Sequence, residues 1–177
     1  LLASRLDARE ADVGTVELVD LIGLAAEECA RVDAELDVTA VPEGLEVRGV
    51  AKLLRRALRN LLENARRYSQ GDITVVLQRH DGQAQLSVLD RGPGVPPALR
   101  ERIFEPFYRL PGASERAGGV GLGLALVRSI AQRHNGSVRC EDQPDGSGGA
   151  CFVLRLPLQS PPGTAAPAPQ RKGTGAK

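Results

Sequence analysis

The chain has 177 residues, of which 42% are hydrophobic and 25% charged, and its formal net charge is +1. This balance is typical of a soluble globular domain and excludes a disordered chain, while the near-zero charge provides no overall attraction to nucleic acid or to an anionic membrane surface. The longest apolar run, VGLGLALV, is too short to span a bilayer. No methionine and no signal peptide are present, so we expect a piece cut from a longer protein.

The first half of the chain alternates strand patterns with helix patterns. LLASRLDAREAD is typical of the end of a helix, and TVELVDLIGLAAEECARV predicts a short strand that runs into a helix. LDVTAV and PEGLEV predict two short strands joined by a turn, and apolar residues at helical spacing predict a long helix over residues 50–67. DITVVLQRH and QAQLSVLD, joined by Asp81-Gly82, predict a β-hairpin.

The second half begins with a turn, RGPGVPP, followed by PALRERIF, which predicts a short helix, and by an irregular segment. GLGLALVRSIAQRH predicts a helix that ends at Asn135-Gly136. SVRCED and ACFVLRLPL predict a last hairpin that could bring Cys140 near Cys151, although the odd number of cysteines favours reduced thiols. From Gln159 onward the composition predicts a disordered tail. Together these elements predict an α+β sandwich, one mixed sheet covered by helices.

Two asparagines, Asn60 and Asn64, interrupt the apolar order of the long helix, although asparagine is a poor helix former. On a helical wheel both lie at the same edge of the apolar stripe, which Arg67 continues, whereas Glu63 is predicted to point away from it. Amide oxygens at such a margin suit a hard cation such as Mg²⁺ that also binds phosphate. The alternative is a pair of polar residues tolerated at a boundary.

Asp90 follows a strand whose alternation places it on the same face as Leu86 and Val88, so its carboxylate should be buried. A buried carboxylate must accept hydrogen bonds. Gly92 and Gly94 let the backbone approach a flat ligand closely, and an adenine amino group is one donor that fits. The alternative is an aspartate satisfied by its own turn.

A third motif, GGVGLGLALV, places glycines 118, 119, 121 and 123 before an apolar helix. Backbone N–H groups at such a helix start suit phosphate, and the alternative is a flexible linker. A Walker motif is disfavoured because Leu124-Ala125 follows the last glycine, and a dinucleotide fingerprint is disfavoured because no strand pattern precedes the run.

The blocks NLLENARRYS, DRGPGV, IFEPFYR and GGVGLGLALV stand in one order. Together they resemble the ATP-binding catalytic domain of sensor histidine kinases in bacterial two-component systems. That superfamily also holds type II topoisomerases, a heat-shock chaperone and mismatch-repair ATPases. The similarity covers roughly residues 15–158 and implies a Bergerat-type α/β sandwich with a mostly antiparallel sheet. It also implies the end of a helical hairpin over residues 1–13, a catalytic domain over 14–158 and a tail over 159–177.

The resemblance also implies roles for single residues. Asn64 matches the asparagine that coordinates Mg²⁺, and Asp90 matches the aspartate that binds the adenine amino group. Phe104 and Phe107 match the phenylalanine box that anchors a mobile lid over residues 105–121. Arg109 is a candidate phosphate contact. The implied ATP-binding residues are Asn60, Asn64, Arg67, Tyr68, Asp90, Gly92, Gly94, Phe104, Phe107, Arg109, Gly119, Val120, Gly121, Leu122, Gly123 and Leu124.

One departure concerns hydrolysis. Members of the superfamily that hydrolyse ATP carry a glutamate, one helical turn before the metal asparagine, that activates water. Asn60 occupies that place here and cannot take a proton. We therefore predict slow hydrolysis, with Asn60 and Asn64 supporting phosphoryl transfer and no residue acting as a general base.

The resemblance implies a protein-histidine kinase whose acceptor histidine lies on an upstream helical hairpin, with a response-regulator aspartate as the next acceptor. His80 and His134 lack the acceptor context and should be structural or surface residues, so this piece should not phosphorylate itself. We expect it to be monomeric, the full-length kinase to be a homodimer, and the domain to face the cytoplasm from a bacterial inner-membrane protein. The alternatives are a serine/threonine kinase of the anti-sigma type and a catalytically degraded, nucleotide-dependent binding module.

Overall fold

The computed structural model describes residues 14–112 and 119–158. The predictions for residues 1–13 and 159–177, and for 113–118 within the predicted lid, lie outside the described residues. The regular elements of the described part are β1 Glu17–Asp20, α1 Leu21–Val32, β2 Glu35–Asp37, β3 Glu46–Gly49, α2 Ala51–Tyr68, β4 Thr74–His80, β5 Gln83–Leu89, α3 Gly123–Arg133, β6 Ser137–Glu141 and β7 Cys151–Pro157.

The main sheet confirms the predicted fold class. Its five strands lie in the order β2-β4-β5-β7-β6, with β2 parallel to β4 and every other pair antiparallel. The sheet is therefore mixed and mostly antiparallel. Strands β1 and β3 form a separate two-stranded antiparallel sheet, which the sequence pattern did not predict.

The helices pack on one face of the main sheet because each carries an apolar stripe. In α2 the buried residues recur at helical spacing. They are Leu53, Leu54, Ala57, Leu58, Leu61, Leu62 and Ala65. They meet alternate residues of the sheet, among them Leu77, Leu86 and Leu154, all at most 2% exposed. The core is thus one layer between α2 and the centre of the sheet.

Turn chemistry explains where several elements begin and end. The hairpin between β4 and β5 turns at Asp81 and Gly82, both at positive φ (48° and 73°), as a two-residue turn requires. Strand β2 ends at Asp37, earlier than predicted, because Oδ1 of Asp37 accepts the Thr39 N–H at 2.9 Å and bends the chain.

The predicted helix PALRERIF is wrong in type. Two 3₁₀ turns, Pro97–Leu99 and Arg102–Phe104, take its place. Ile103 and Phe104 are the buried residues of this segment. These two adjacent side chains can hold a single turn against the core. A longer α-helix would need apolar residues repeated along one face.

His134 has a structural role, as expected. Its Nε2 accepts the backbone N–H of Val50 at 3.0 Å, so its Nδ1 carries the proton and donates to the Ile130 carbonyl at 2.7 Å. Asn135, at a φ of 55°, and Gly136 then close α3 with a Schellman pair of hydrogen bonds. The end of α3 is thereby joined to the start of α2.

Cys140 and Cys151 do not face each other. Cys140 pairs with Phe152 across β6 and β7, and successive residues of a strand point to opposite faces, so Cys151 lies on the other side of the sheet. Both thiols and that of Cys29 are free and buried. Burial raises the pKa of the Cys140 thiol to about 12, so it stays protonated at neutral pH.

A buried carboxylate joins α1 to α2. Glu28 is 1% exposed, and Arg59 donates to both of its oxygens at 2.9 Å, while Arg55 donates to one at 3.3 Å. The bidentate hydrogen bond from Arg59 holds the pKa of Glu28 below its usual value of 4.5, against the opposing effect of burial.

We predict that Glu28→Gln lowers the free energy of unfolding by about 2 kcal/mol at pH 7, because the charge-assisted hydrogen bonds are lost. The pKa of Glu28 is lower in the folded state than in the unfolded state. The stabilisation by its ionised carboxylate is therefore fully present above the unfolded-state pKa and is lost as the pH falls through the folded-state pKa. Urea unfolding at pH 7 and below pH 4 should therefore show a difference that shrinks in acid.

Glu27→Gln is the matched control, because Glu27 is the neighbouring residue on α1, is exposed and also contacts Arg55. Its effect should stay below about 0.5 kcal/mol. Equal losses in the two variants would show that the buried pair contributes no more than a surface one.

Candidate functional site

A cavity of about 310 Å³ opens between α2, the end of β5 and the segment that leads into α3. This volume lies at the lower end of the range for small-molecule sites. The three sequence motifs supply three of its walls, although they are far apart along the chain.

Helix α2 forms the first wall. Asn60, Asn64, Arg67 and Tyr68 all line the cavity, as the wheel predicted for the first three. The Nδ2 group of Asn60 is buried and has no hydrogen-bond partner in the described structure, so it is an open donor. A Cβ on Gly123 would lie 3.7 Å from the Asn60 Oδ1, which brings the start of α3 close to this side chain.

Glu63 also lines the cavity, so the prediction that it lies well away from the pocket edge is wrong. The cavity wall extends further around α2 than the edge marked by Asn60 and Asn64. Glu63 is exposed, and its charge acts on Arg59, one turn earlier on α2. It therefore stands at the outer rim of the wall.

Asp90 forms the second wall and is 3% exposed. Its Oδ1 accepts the N–H groups of Gly92 at 2.8 Å and Ala150 at 3.1 Å. Both hydrogen bonds that the described residues donate to this carboxylate go to Oδ1. The other oxygen, Oδ2, is the acceptor left for a molecule in the cavity.

One small residue lets this wall approach α2. Gly92 does not line the cavity; a Cβ there would come within 2.6 Å of the Tyr68 carbonyl oxygen. Gly94, at a φ of 75°, does line it. Ser69 fixes the same junction, because its Oγ accepts the N–H groups of Gly71 at 3.2 Å and Arg91 at 3.1 Å. The end of α2 is thus joined to the exit of β5.

The third wall is the run from Gly119 to Leu124, and all six of these residues line the cavity. Leu122 precedes α3 and supplies no side-chain cap for the first N–H groups of α3. A Cβ at Gly119 would overlap the Arg67 guanidinium, so this arginine lies directly against the run. The arrangement presents donors and a positive charge at a helix start, which suits a phosphate.

Neither of the two phenylalanines lines the cavity. Phe104 is 2% exposed, meets the ring of Phe152 edge-on at 6.3 Å and lies 4.5 Å from the Arg128 guanidinium. Phe107 is 54% exposed at a φ of 65°, and its N–H donates to the Gly121 carbonyl at 2.8 Å. Arg109, the remaining predicted contact, does line the cavity.

An apolar floor was missed by the sequence analysis. Its members are Val95, Ile103, Leu110, Ala150 and Phe152. They come from separate segments, and each reads locally as an ordinary core residue. The pairing of β5 with β7, which places Phe152 opposite Val88, is what brings β7 beside Asp90. A flat apolar floor next to a carboxylate suits an aromatic base that carries an amino group.

The donor set on α2 fits a magnesium ion carried by a nucleotide. The oxygens there belong to Asn60, Asn64 and Glu63, and the described residues contain no cluster of three metal-binding His, Cys, Asp or Glu side chains. Mg²⁺ takes one or two protein oxygens and completes its shell with phosphates and waters. A protein cage is therefore not needed.

Known proteins are similar to this chain in sequence and in fold. Residues 49–160 match the family model of histidine kinase-, DNA gyrase B- and HSP90-like ATPases. The sensor-like histidine kinase SenX3 of Mycolicibacterium smegmatis is 36% identical over 163 residues, which are 87% of this chain and 42% of the relative. The sensor histidine kinase CpxA of Escherichia coli is 40% identical over 140 residues, which are 78% of this chain and 30% of the relative.

A solved structure of the mycobacterial sensor histidine kinase MprB superposes with a TM-score of 0.69 at 33% identity, over 81% of this chain and 97% of that one. The chain spans less than half the length of the two curated relatives.

The wall that carries Asp90 generates a stability prediction. A Cβ at Gly149, which has a φ of 94°, would overlap the Asp90 carbonyl oxygen. We expect Gly149→Ala to lower the free energy of unfolding by about 3 kcal/mol, from strain plus overlap. Gly148→Ala is the control, since Gly148 also has positive φ (79°) but open space around it, and about 1 kcal/mol is expected. Thermal or urea unfolding of both variants measures the difference, and equal losses would contradict the overlap.

Proposed function

The chain belongs to the family of histidine kinase-, DNA gyrase B- and HSP90-like ATPases, as an ATP-binding catalytic domain of the histidine kinase type, and we propose that it holds Mg-ATP in the cavity and donates the γ-phosphate to a histidine. The observation that supports this most directly is the meeting of the asparagine pair, Asp90 and the glycine run around one cavity.

The adenine would lie on the apolar floor. Because Oδ1 of Asp90 is occupied by two backbone N–H groups, Oδ2 would accept from the adenine amino group. Guanine presents a carbonyl oxygen at that position and would face the carboxylate without a donor, so we propose selectivity for adenine.

The phosphates would lie between Arg67, the first N–H groups of α3 and the open Nδ2 donor of Asn60. Asn64 would hold Mg²⁺ through its amide oxygen, and the ion when bound neutralises charge on the transferring phosphoryl group. These residues orient the γ-phosphate; none of them takes a proton.

We propose that the acceptor is a histidine on an upstream helical hairpin and that a response-regulator aspartate receives the phosphate next. The relatives are sensor kinases, which favours this reading over an anti-sigma kinase. We further propose a monomeric domain, a homodimeric full-length kinase and a cytoplasmic position. Within the described ranges no helix has both the length and the apolar character to cross a membrane.

Calorimetric titration with a non-hydrolysable ATP analogue tests the pocket. We expect Asp90→Asn to weaken binding about 10- to 100-fold, because the acceptor of the amino group is changed. Asn64→Asp should weaken metal-free binding most, because a carboxylate repels the phosphates unless Mg²⁺ intervenes. Glu46→Gln, an exposed carboxylate on β3, is the control. Absence of binding in the unsubstituted domain would reject the proposal and favour the degraded binding module.

Hydrolysis by the isolated domain should be slow, because Asn60 stands where a general base would be needed. Glu63 lines the cavity, so the test must include it. We expect phosphate release to stay slow and to change less than about twofold in Glu63→Gln, a difference below about 0.4 kcal/mol in barrier. Rapid turnover that Glu63→Gln or Asn60→Ala abolishes would identify a hydrolase instead.

A further inference from the structure

Gln143, in the loop between β6 and β7, is not on the cavity wall, yet it is 6% exposed and lies directly behind Asp90. Its Nε2 donates to the Asp90 carbonyl at 2.6 Å and to the Ala150 carbonyl at 3.2 Å. One buried amide group thus joins the end of β5 to the start of β7. No motif in the sequence pointed to it.

The Asp90 carbonyl needs such a donor because the strand ladder ends beside it. The Asp90 N–H donates to the Ala150 carbonyl at 3.0 Å, which is the last backbone hydrogen bond of this pair. Beyond it, Gly149 turns away at a φ of 94° and brings its Cα against the Asp90 carbonyl. A buried carbonyl without a partner is costly, and the side chain of Gln143 replaces the missing backbone donor.

The same hydrogen bonds control the carboxylate. The Ala150 N–H is one of the two donors on Asp90 Oδ1, and Ala150 also carries the carbonyl that Gln143 holds. If β7 shifted from Asp90 here, Oδ1 would lose that donor and the carboxylate could rotate. Oδ2 would then no longer be held toward the cavity.

The loop itself is held from outside. Arg100 donates to the Asp142 carboxylate at 2.6 Å and to the Val95 carbonyl at 3.0 Å, and Val95 lines the cavity. Arg91 contacts the Ser147 hydroxyl. Gln143 therefore acts from a fixed loop and not from a free one.

We propose that Gln143 is a positioning residue that aims the Asp90 carboxylate at the amino group of a purine base, and so sets the preference for a 6-amino purine. This inference rests on the proposed nucleotide binding. It predicts that loss of the Gln143 donors weakens recognition of the amino group specifically, and leaves the phosphate side unchanged.

The experiment compares ADP with purine riboside 5′-diphosphate, which lacks the 6-amino group, in calorimetric titrations with Mg²⁺. Gln143→Met keeps the length of the side chain without its donors, and Gln143→Glu puts an oxygen against the two carbonyls. We expect ADP to lose about tenfold in affinity in each variant and the analogue less than about twofold. Gln132→Met, the same substitution at an exposed position near the end of α3, should leave both affinities unchanged.

The quantity compared is the ratio of the affinities for ADP and for the analogue within each variant. Partial unfolding lowers both affinities equally and leaves this ratio unchanged. Equal losses for the two ligands, or no loss for either, would overturn the inference while leaving nucleotide binding in place. If the unsubstituted domain binds neither ligand, the proposed function fails instead.

Amide hydrogen exchange, measured without ligand, tests the positioning role of Gln143 independently of nucleotide binding. In the Gln143 variants the Gly92 and Ala150 amides should exchange faster, whereas the Gly71 amide, held by Ser69, should not. Unchanged exchange at Gly92 and Ala150 would also overturn the positioning role. Should one variant not fold, the same ratio and exchange rates are read from the other.

Discussion

The burial of the Asp90 carboxylate is the constraint on which the site depends. A charged group that is 3% exposed must be hydrogen-bonded, and its partners come from its own turn, through Gly92, and from β7, through Ala150. Meeting this requirement fixes the end of β5, excludes a side chain at Gly149 and places Gln143 behind the backbone. Among the described residues only Oδ1 receives hydrogen bonds, so the other oxygen is left as an acceptor for a ligand.

Helix α2 serves the core and the site at once. Its leucines fill the space above the sheet, while its polar edge lines the cavity, so any shift of the helix would disturb both. Three contacts oppose such a shift. His134 accepts the N–H of Val50 at its start, Arg59 binds the buried Glu28 along its length, and Ser69 joins its end to the exit of β5. The asparagine pair and Asp90 are therefore held in one connected frame.

The described residues between Phe104 and the start of α3, 105–112 and 119–122, are held differently. Phe104 is packed in the core, whereas Phe107 is half exposed in a left-handed conformation that a large side chain rarely adopts. One backbone hydrogen bond, from Phe107 to Gly121, links the two described ends of this segment, and Gly121 has positive φ as well. Local strain of this kind is typical of functional segments and persists only where the surroundings enforce it.

The sequence by itself determined the element order, the fold class and the three motifs, because periodicity, turn residues and buried polar groups are local signals. It located Asn60, Asn64, Asp90 and the glycine run correctly on the cavity wall, while their roles in binding ATP stay predictions. Tertiary structure alone decided three other features: the apolar floor, the place of Glu63 on the cavity wall and the separation of Cys140 from Cys151. These features depend on strand register or on how far the cavity extends around a helix. Neither the register nor the extent of the cavity can be inferred from residues that are neighbours in the sequence. Gln143 belongs with them, since the carbonyl that it satisfies becomes an unpaired group only once β5 and β7 have met.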